Sequence, residues 1–168
     1  LRSGLVAAEG IVIDAKSGAT GAGRTLREDL LFCELADDFS AYSPGRSHRH
    51  LGEMEAVLRD STGQQPALTF CPHLLPVKRG ILSALYLRSQ ASADELRQAL
   101  HSFYADAPFV RVGNGKPPRL SDVVGSNECH LSVHPAAPGQ AVVFSALDNM
   151  LKGAAGQAVQ NLNLGLGW

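Results

Sequence analysis

The chain has 168 residues, of which 45% are hydrophobic and 18% charged, and its formal net charge is -1. A disordered chain combines low hydrophobicity with a large net charge, so this composition excludes one. A near-neutral charge also argues against a general nucleic-acid or membrane-surface binder, whose affinity depends on an excess of Lys and Arg. The length fits one domain covering residues 1–168.

The sequence pattern mixes strands and helices. Short β-branched or apolar runs predict strands, and apolar residues at helical spacing predict helices. In chain order the predicted elements are a strand at 11–15, a glycine-rich loop at 17–24, a helix at 25–36, a strand end and turn at 41–45, a helix at 49–59, strands at 67–71 and 81–88, a helix at 92–104, strands at 109–112, 128–134 and 141–147, and a helix at 149–164. Strands and helices do not alternate strictly. We therefore expect an α+β domain, with a mixed, mostly antiparallel sheet and helices on one face.

The three cysteines, Cys33, Cys71 and Cys129, are odd in number and form no CxxC pair. We therefore expect no disulfide framework. We expect the protein in a reducing compartment, the cytoplasm. Cysteine and histidine are also zinc ligands, and the stretches 71–73 and 129–134 contain both. Neither stretch has the spacing of a known zinc site, so we predict no metal site.

The glycine-rich loop is the first candidate for chemistry. It combines unshielded backbone N–H groups, a hydroxyl from Ser17 or Thr20, and the guanidinium of Arg24. These groups together suit an oxyanion or a phosphate. The glycine spacing, G-x-x-G-x-G, fits neither a Walker A loop nor a dinucleotide fingerprint. An ordinary flexible turn is the alternative interpretation.

A second candidate is the His48-Arg49-His50 stretch together with Glu53. If His50 opens a helix, its side chain and that of Glu53 lie one turn apart on the same face. A carboxylate in that position orients an imidazole for general acid–base work, and Arg49 is available to bind an anion. The alternative is a polar, solvated start of a helix.

Taken together, these segments resemble the N-acetyl-gamma-glutamyl-phosphate reductase family of arginine biosynthesis. The resemblance covers essentially the whole chain in the family's order. The matching stretches are 13–18 with 20–24, the pattern HRHxxE at 48–53, PHLLP at 72–76 with RGIL at 79–82, GSN at 125–127, and DNxxKGAAGxAVQ at 148–160 followed by NLN.

The resemblance implies an NADPH-dependent reductase. Such an enzyme converts N-acetyl-gamma-glutamyl phosphate to N-acetylglutamate semialdehyde and phosphate through a cysteine thioester, with a histidine handling protons. The implied fold is the glyceraldehyde-3-phosphate-dehydrogenase-like C-terminal domain, which is catalytic and also forms the dimer or tetramer. In the family, an N-terminal NADP-binding Rossmann domain precedes it. No nucleic-acid or membrane partner is implied.

The chain departs from the family pattern in two ways. It contains no Rossmann segment, and the family's Gly-Cys-Tyr-Pro-Thr nucleophile motif is absent. By the family's order that motif belongs just upstream of Leu1, and the stretch 1–4 has the pattern of a helix end followed by glycine. We therefore expect this polypeptide to be the C-terminal part of the enzyme and to be inactive alone. A non-catalytic dimerisation module of the same fold is the alternative.

The resemblance also assigns site residues. It gives His50 the acid–base role, with Glu53 as its orienting carboxylate, Arg49 as a clamp on the substrate anion, and His73 as the second candidate base. The residues implied to meet the acyl phosphate are Ser17, Gly18, Thr20, Gly21, Gly23 and Arg24. Those implied to lean against the NADP-binding domain are Asn149, Gly153 and Gln160.

Overall fold

The computed structural model describes residues 1–168 and shows a seven-stranded mixed sheet. Its strands are β1 (Ile11–Gly18), β2 (Ser40–Ala41), β3 (Leu68–Leu75), β4 (Ile81–Arg88), β5 (Val110–Val112), β6 (Cys129–Pro135) and β7 (Gln140–Leu147). They lie in the order β2-β3-β1-β4-β7-β6-β5. The β1–β3 and β5–β6 pairs are parallel, and the other four pairs are antiparallel. The predicted α+β class and mostly antiparallel sheet are confirmed.

Four α-helices accompany the sheet. They are α1 (Phe32–Leu35), α2 (Leu51–Thr62), α3 (Ala93–Phe103) and α4 (Gly156–Gly165), and a π-helical turn (Leu151–Ala155) leads into α4. The start of α3 follows from a capping box, in which Glu95 N donates to Ser92 Oγ and Ser92 N donates to the Glu95 carboxylate. No helix is both long enough and apolar enough to cross a membrane.

The core lies between the sheet and the helices α2 and α3, which cover the same face. Leu51 of α2 packs against Ile11 and Leu68, and Leu96 of α3 packs against Val133. Because side chains alternate along a strand, the opposite face carries the even-numbered residues of β1, and neither apolar cluster that contains a helix reaches it. We call it the open face. An apolar cavity of about 340 Å³ lies between α2 and α3, and no predicted site residue lines it.

Two predicted elements differ from the structure. The helix at 25–36 is wrong: the segment forms only a 3₁₀ turn (Glu28–Leu30) and the four-residue α1. Leu26 and Phe32 are 91% and 83% exposed, so no packed apolar face stabilises a longer helix. The strand at 67–71 instead continues to Leu75 through Pro72. The Pro72 carbonyl accepts from Tyr42 N, so its missing N–H points toward the short β2 and leaves the β1 ladder intact.

Candidate active site

Several loops meet at one end of the sheet. The strand register pairs Ser17 with Ile81, Ile81 with Leu147, and Leu147 with Cys129. Strands β1 and β7 end near this row, while β4 and β6 begin there, so the segments joined to them lie together. We call this region the loop end of the sheet. It contains the glycine-rich loop 17–24, the turn 76–80, and the segments 124–128 and 148–160.

The first half of the glycine-rich loop is docked on the turn between β3 and β4. Its amides donate to that turn: Gly18 N to Gly80 O at 2.8 Å, Ala19 N to Val77 O at 2.9 Å, and Thr20 N to Lys78 O at 3.2 Å. A Cβ at position 18 would lie 2.9 Å from Val77 O, so the close approach requires glycine. These three amides already donate hydrogen bonds within the chain. Anion binding by the loop therefore depends on residues 21–24, where the Arg24 side chain is exposed.

Asn149 joins this loop to the turn. Its Oδ1 accepts from the buried Gly80 N at 2.8 Å, and its Nδ2 donates to Thr20 Oγ1 at 3.0 Å. The Thr20 hydroxyl in turn donates to Lys78 O at 2.6 Å. Ser17 Oγ donates locally to Gly18 O. Both hydroxyls that were predicted to bind an anion therefore already hydrogen-bond within the chain.

The preceding residue, Asp148, is a completely buried carboxylate. It accepts from Gly125 N at 2.9 Å, Met150 N at 2.7 Å and Leu151 N at 3.1 Å, and Arg79 lies 3.7 Å away. Burial alone would raise the pKa of this carboxyl, but the three amides and the guanidinium hold it below its usual range. Asp148 thus fixes the start of the π-helical turn and the Gly125 loop.

The helix after β7 carries the other two residues implied to lean against the cofactor domain. Gly153 N donates to Asp148 O at 2.9 Å. Gln160 Oε1 accepts from Lys152 Nζ at 2.7 Å and from Asn127 Nδ2 at 3.1 Å. The Gln160 amide nitrogen makes no bond within the chain, so it is the group that remains for a ligand.

The predicted pairing of His50 with Glu53 is not formed. His50 immediately precedes α2, as predicted, but no hydrogen bond or ion pair joins it to Glu53, and both residues are exposed. His48 is more enclosed, with its ring centroid 5.0 Å from those of His50 and Phe70. Burial lowers the pKa of His48, and the neighbouring His50 imidazole and Arg49 guanidinium lower it further.

The second candidate base, His73, lies beside a carboxylate. Its Nδ1 is 3.1 Å from Asp14 Oδ1, and Asp14 also forms an ion pair with Lys16. The contact lacks hydrogen-bond geometry, so the two facing atoms are buried without a hydrogen-bond partner. The ring of Phe39 lies 5.1 Å from the imidazole. An imidazole–carboxylate contact like the one expected at His50 thus occurs at His73, and a hydrogen-bonded one occurs at His130, whose Nε2 lies 2.7 Å from the Glu128 carboxylate.

The two candidate bases lie on opposite sides of the sheet. His48 and His50 are on the side of Phe70, whose ring packs against the core beneath α2. His73 is three residues further along β3, so its side chain points to the open face. A single site within one copy of the chain therefore uses one base or the other.

The possible zinc ligands are dispersed. β3, with Cys71 and His73, is separated from β6, with Cys129 and His130, by three strands. At about 4.8 Å per strand, the two pairs lie about 19 Å apart. No group of three or more His, Cys, Asp or Glu residues is placed to hold a metal ion.

Comparison with known proteins identifies the family. Residues 1–149 match the family model described as semialdehyde dehydrogenase, dimerisation domain. The chain belongs to this family. It is 48% identical to the N-acetyl-gamma-glutamyl-phosphate reductase of Rhodospirillum rubrum over 172 aligned positions, which cover 100% of this chain and 49% of that protein. A probable chloroplastic enzyme of the same name from Arabidopsis thaliana is 44% identical, with 100% of this chain and 43% of that protein covered. The sequence resemblance is confirmed, and the chain spans about half the length of these relatives.

Solved structures of the semialdehyde dehydrogenase fold support the architecture. A probable aspartate-semialdehyde dehydrogenase from Pseudomonas aeruginosa superposes with a TM-score of 0.70 at 18% identity, covering 95% of this chain and 56% of that one. Aspartate semialdehyde dehydrogenase II from Vibrio cholerae gives 0.69 at 15% identity, covering 92% and 53%. At these identities the likeness establishes the fold alone.

Asp148 lies in the matching stretch 148–160, but no role was predicted for it. Its carboxylate accepts from the amides two and three residues ahead, as an N-cap residue does. An acidic residue directly before the predicted helix at 149–164 was the signal that could have identified it.

Proposed function

We propose that this chain is the catalytic and dimerisation part of an N-acetyl-gamma-glutamyl-phosphate reductase. The observation that carries the proposal is the 48% identity to the Rhodospirillum rubrum enzyme across the whole of this chain. The activity belongs to a polypeptide about twice this length. The proposed nucleophile, a cysteine, lies in the part of the enzyme outside this chain.

In the proposed reaction this chain binds the phosphate and moves protons. Phosphate leaves as an anion, and a guanidinium that pairs with it stabilises the transition state. Arg24, exposed at the end of the glycine-rich loop, is the proposed phosphate ligand, with Arg49 as a second cation. His50 is the proposed acid–base residue. His73 is the second candidate for this role, because the Asp14 carboxylate lies beside its imidazole.

NADPH, when bound, supplies the hydride, and its main site lies outside this chain. Asn149 does not fit a cofactor contact, because it is 7% exposed and both ends of its amide are bonded within the fold. The amide of Gly153 is also bonded internally. The free amide nitrogen of Gln160 is therefore the proposed cofactor contact within this chain.

The proposed enzyme is a homo-oligomer, a dimer or tetramer, located in the cytoplasm. The family description supports self-association. The open face supports it as well, because the large side chain of Tyr86 on β4 is 45% exposed there. All three cysteines are free thiols, which favours a reducing compartment.

The experiment joins the upstream half of the Rhodospirillum rubrum enzyme to this chain at Leu1. The reverse reaction, phosphate-dependent reduction of NADP⁺ with N-acetylglutamate semialdehyde, is then measured. Arg24→Ala is expected to raise the KM for phosphate about 10- to 100-fold, since a charge-assisted bond contributes about 1.5–3 kcal/mol. Arg59→Ala, an exposed arginine on α2, is the matched control and should leave this KM unchanged. An unchanged KM in Arg24→Ala would remove Arg24 from the phosphate site.

A further inference from the structure

We propose that Asn149 is a positioning residue that fixes the glycine-rich loop for phosphate binding. The phosphate-binding step of this inference rests on the proposed function, whereas its structural step does not. The resemblance implied that Asn149 belongs to the cofactor side. The side chain instead points into the fold and joins three segments of the loop end.

The first support is a continuous run of hydrogen bonds. It goes from Gly80 N to Asn149 Oδ1, from Asn149 Nδ2 to Thr20 Oγ1, and from Thr20 Oγ1 to Lys78 O, with lengths of 2.8, 3.0 and 2.6 Å. The run begins and ends on the same turn between β3 and β4. It therefore closes a ring that holds Thr20 against that turn, and the bonds in such a run strengthen one another.

The second support is the tightness of the packing around the ring. A Cβ at position 18 would lie 2.9 Å from Arg79 N, which is too close, whereas one at position 21 would be in ordinary contact with Asn149 Nδ2 at 3.4 Å. Gly80, which donates to Asn149, has a φ of +107°, a conformation that other residues adopt rarely. The loop and the turn thus approach each other where a side chain would interfere, and the loop lies in contact with Asn149.

The third support is the way in which Asn149 itself is held. It directly follows Asp148, whose buried carboxylate binds the backbone amides of Met150 and Leu151 on one side and of Gly125 on the other. The backbone around Asn149 is therefore anchored at the end of β7. Thr20 accepts a hydrogen bond from Asn149 Nδ2, which this anchor holds in place. The bond therefore fixes the position of the glycine-rich loop as well.

The consequence concerns Arg24, four residues after Thr20. If the ring is broken, Thr20 loses its tether to β7 and the loop is held only by the backbone bonds of residues 18–20, so Arg24 is positioned less precisely. Phosphate affinity should then fall, whereas affinity for NADP should not change. A residue that contacts the cofactor would show the opposite pattern.

The kinetic test uses the chimaeric enzyme and the reverse reaction. Asn149→Ala is expected to raise the KM for phosphate about tenfold, the effect of losing about one buried hydrogen bond, and to leave the KM for NADP⁺ within about twofold. In a Thr20→Val background, Asn149→Ala should add less than about twofold, because both changes break the same ring. Thr20→Ser keeps the hydroxyl and should restore most of the phosphate affinity. A raised KM for NADP⁺, or full additivity of the two substitutions, would overturn the inference.

A second measurement needs only this chain. Asn149→Ala removes both hydrogen bonds of the side chain, and Thr20→Val removes the hydroxyl while Asn149 Oδ1 still accepts from Gly80 N. Neither variant adds a charge beside the buried Asp148. Hydrogen exchange of the amides of residues 18–20 should accelerate at least about tenfold, while exchange in the centre of β1 stays the same. Gln140→Ala, an exposed amide at the other end of β7, is the control and should change neither. Unchanged exchange of residues 18–20 would refute the positioning role. An inactive chimaera with accelerated exchange would instead refute the proposed function alone.

Discussion

Asp148 offers the sharpest prediction about stability. Its carboxylate is fully buried and accepts from three backbone amides at 2.9, 2.7 and 3.1 Å. A hydrogen bond to a charged group contributes about 1.5–3 kcal/mol, and bonds that share one carboxylate add less than independently. We therefore expect Asp148→Ala to lower the free energy of unfolding by about 3–5 kcal/mol. Asp148→Asn keeps one acceptor oxygen but places an amide against Gly125 N, so we expect a loss of about 1–3 kcal/mol.

The same carboxylate predicts a pH dependence. The folded-state pKa of Asp148 lies below its usual range, whereas in the unfolded chain it should be about 3.9. Stability from such a group is fully present above the unfolded pKa and is lost as the pH falls through the folded pKa. The difference in the free energy of unfolding between the wild-type chain and Asp148→Asn should therefore shrink as the pH falls below about 4.

Urea unfolding of this chain, followed by circular dichroism, measures both effects. Asp106→Asn is the matched control, because Asp106 is exposed and makes no side-chain hydrogen bond or ion pair. A free energy of unfolding for Asp148→Asn within about 0.5 kcal/mol of wild type, the range of ordinary surface substitutions, would refute the assigned role of the carboxylate. Equal pH profiles for the two proteins would refute it as well.

Three further predictions follow from the geometry. Gly18→Ala should lower the free energy of unfolding by about 1–3 kcal/mol, because the added Cβ would lie 2.9 Å from backbone atoms. The control is Gly52→Ala in α2, where an added Cβ meets nothing within 4 Å. It should be neutral or stabilising in the same unfolding assay. Because the pKa of His48 is lowered in the folded state, the unfolded state binds the proton of this imidazole more readily. The free energy of unfolding should therefore fall as the pH drops below about 6.5, and His48→Phe should remove this dependence. Identical pH profiles of stability for the two proteins would contradict the lowered pKa of His48. In the chimaeric enzyme, His50→Asn should lower kcat by about 10²–10⁴-fold and His73→Asn by less than about tenfold, and the reverse order would transfer the acid–base role to His73 beside Asp14.

Most of the fold could be predicted because its signals are local. The β-branched run at β1, the strand at 81–88 and the capping box at Ser92 are each visible within a few residues. The helix predicted at 25–36 failed because its periodicity had no packed face to stabilise it, and burial is a tertiary property. The continuation of β3 through Pro72 depends on which neighbouring strand the missing N–H faces, and the sequence does not encode that locally.

The candidate site could be predicted only in part, for a related reason. The glycine-rich loop was located correctly as a segment, but three of its amides are bonded to a turn about 60 residues away. The bond between Asn149 and Thr20 spans 129 residues, so no spacing rule reveals it. The placement of His73 beside Asp14 follows from the parallel register of β1 and β3, which likewise requires the fold.

The decisive test of the proposed activity compares turnover by this chain alone with turnover by the chimaera. Phosphate-dependent reduction of NADP⁺ with N-acetylglutamate semialdehyde should be catalysed by the chimaera and not by the 168-residue chain. An inactive but folded chimaera would contradict the proposed activity. Turnover by the chain alone would contradict the account of a nucleophile outside it, and would assign the attack to Cys33, Cys71 or Cys129.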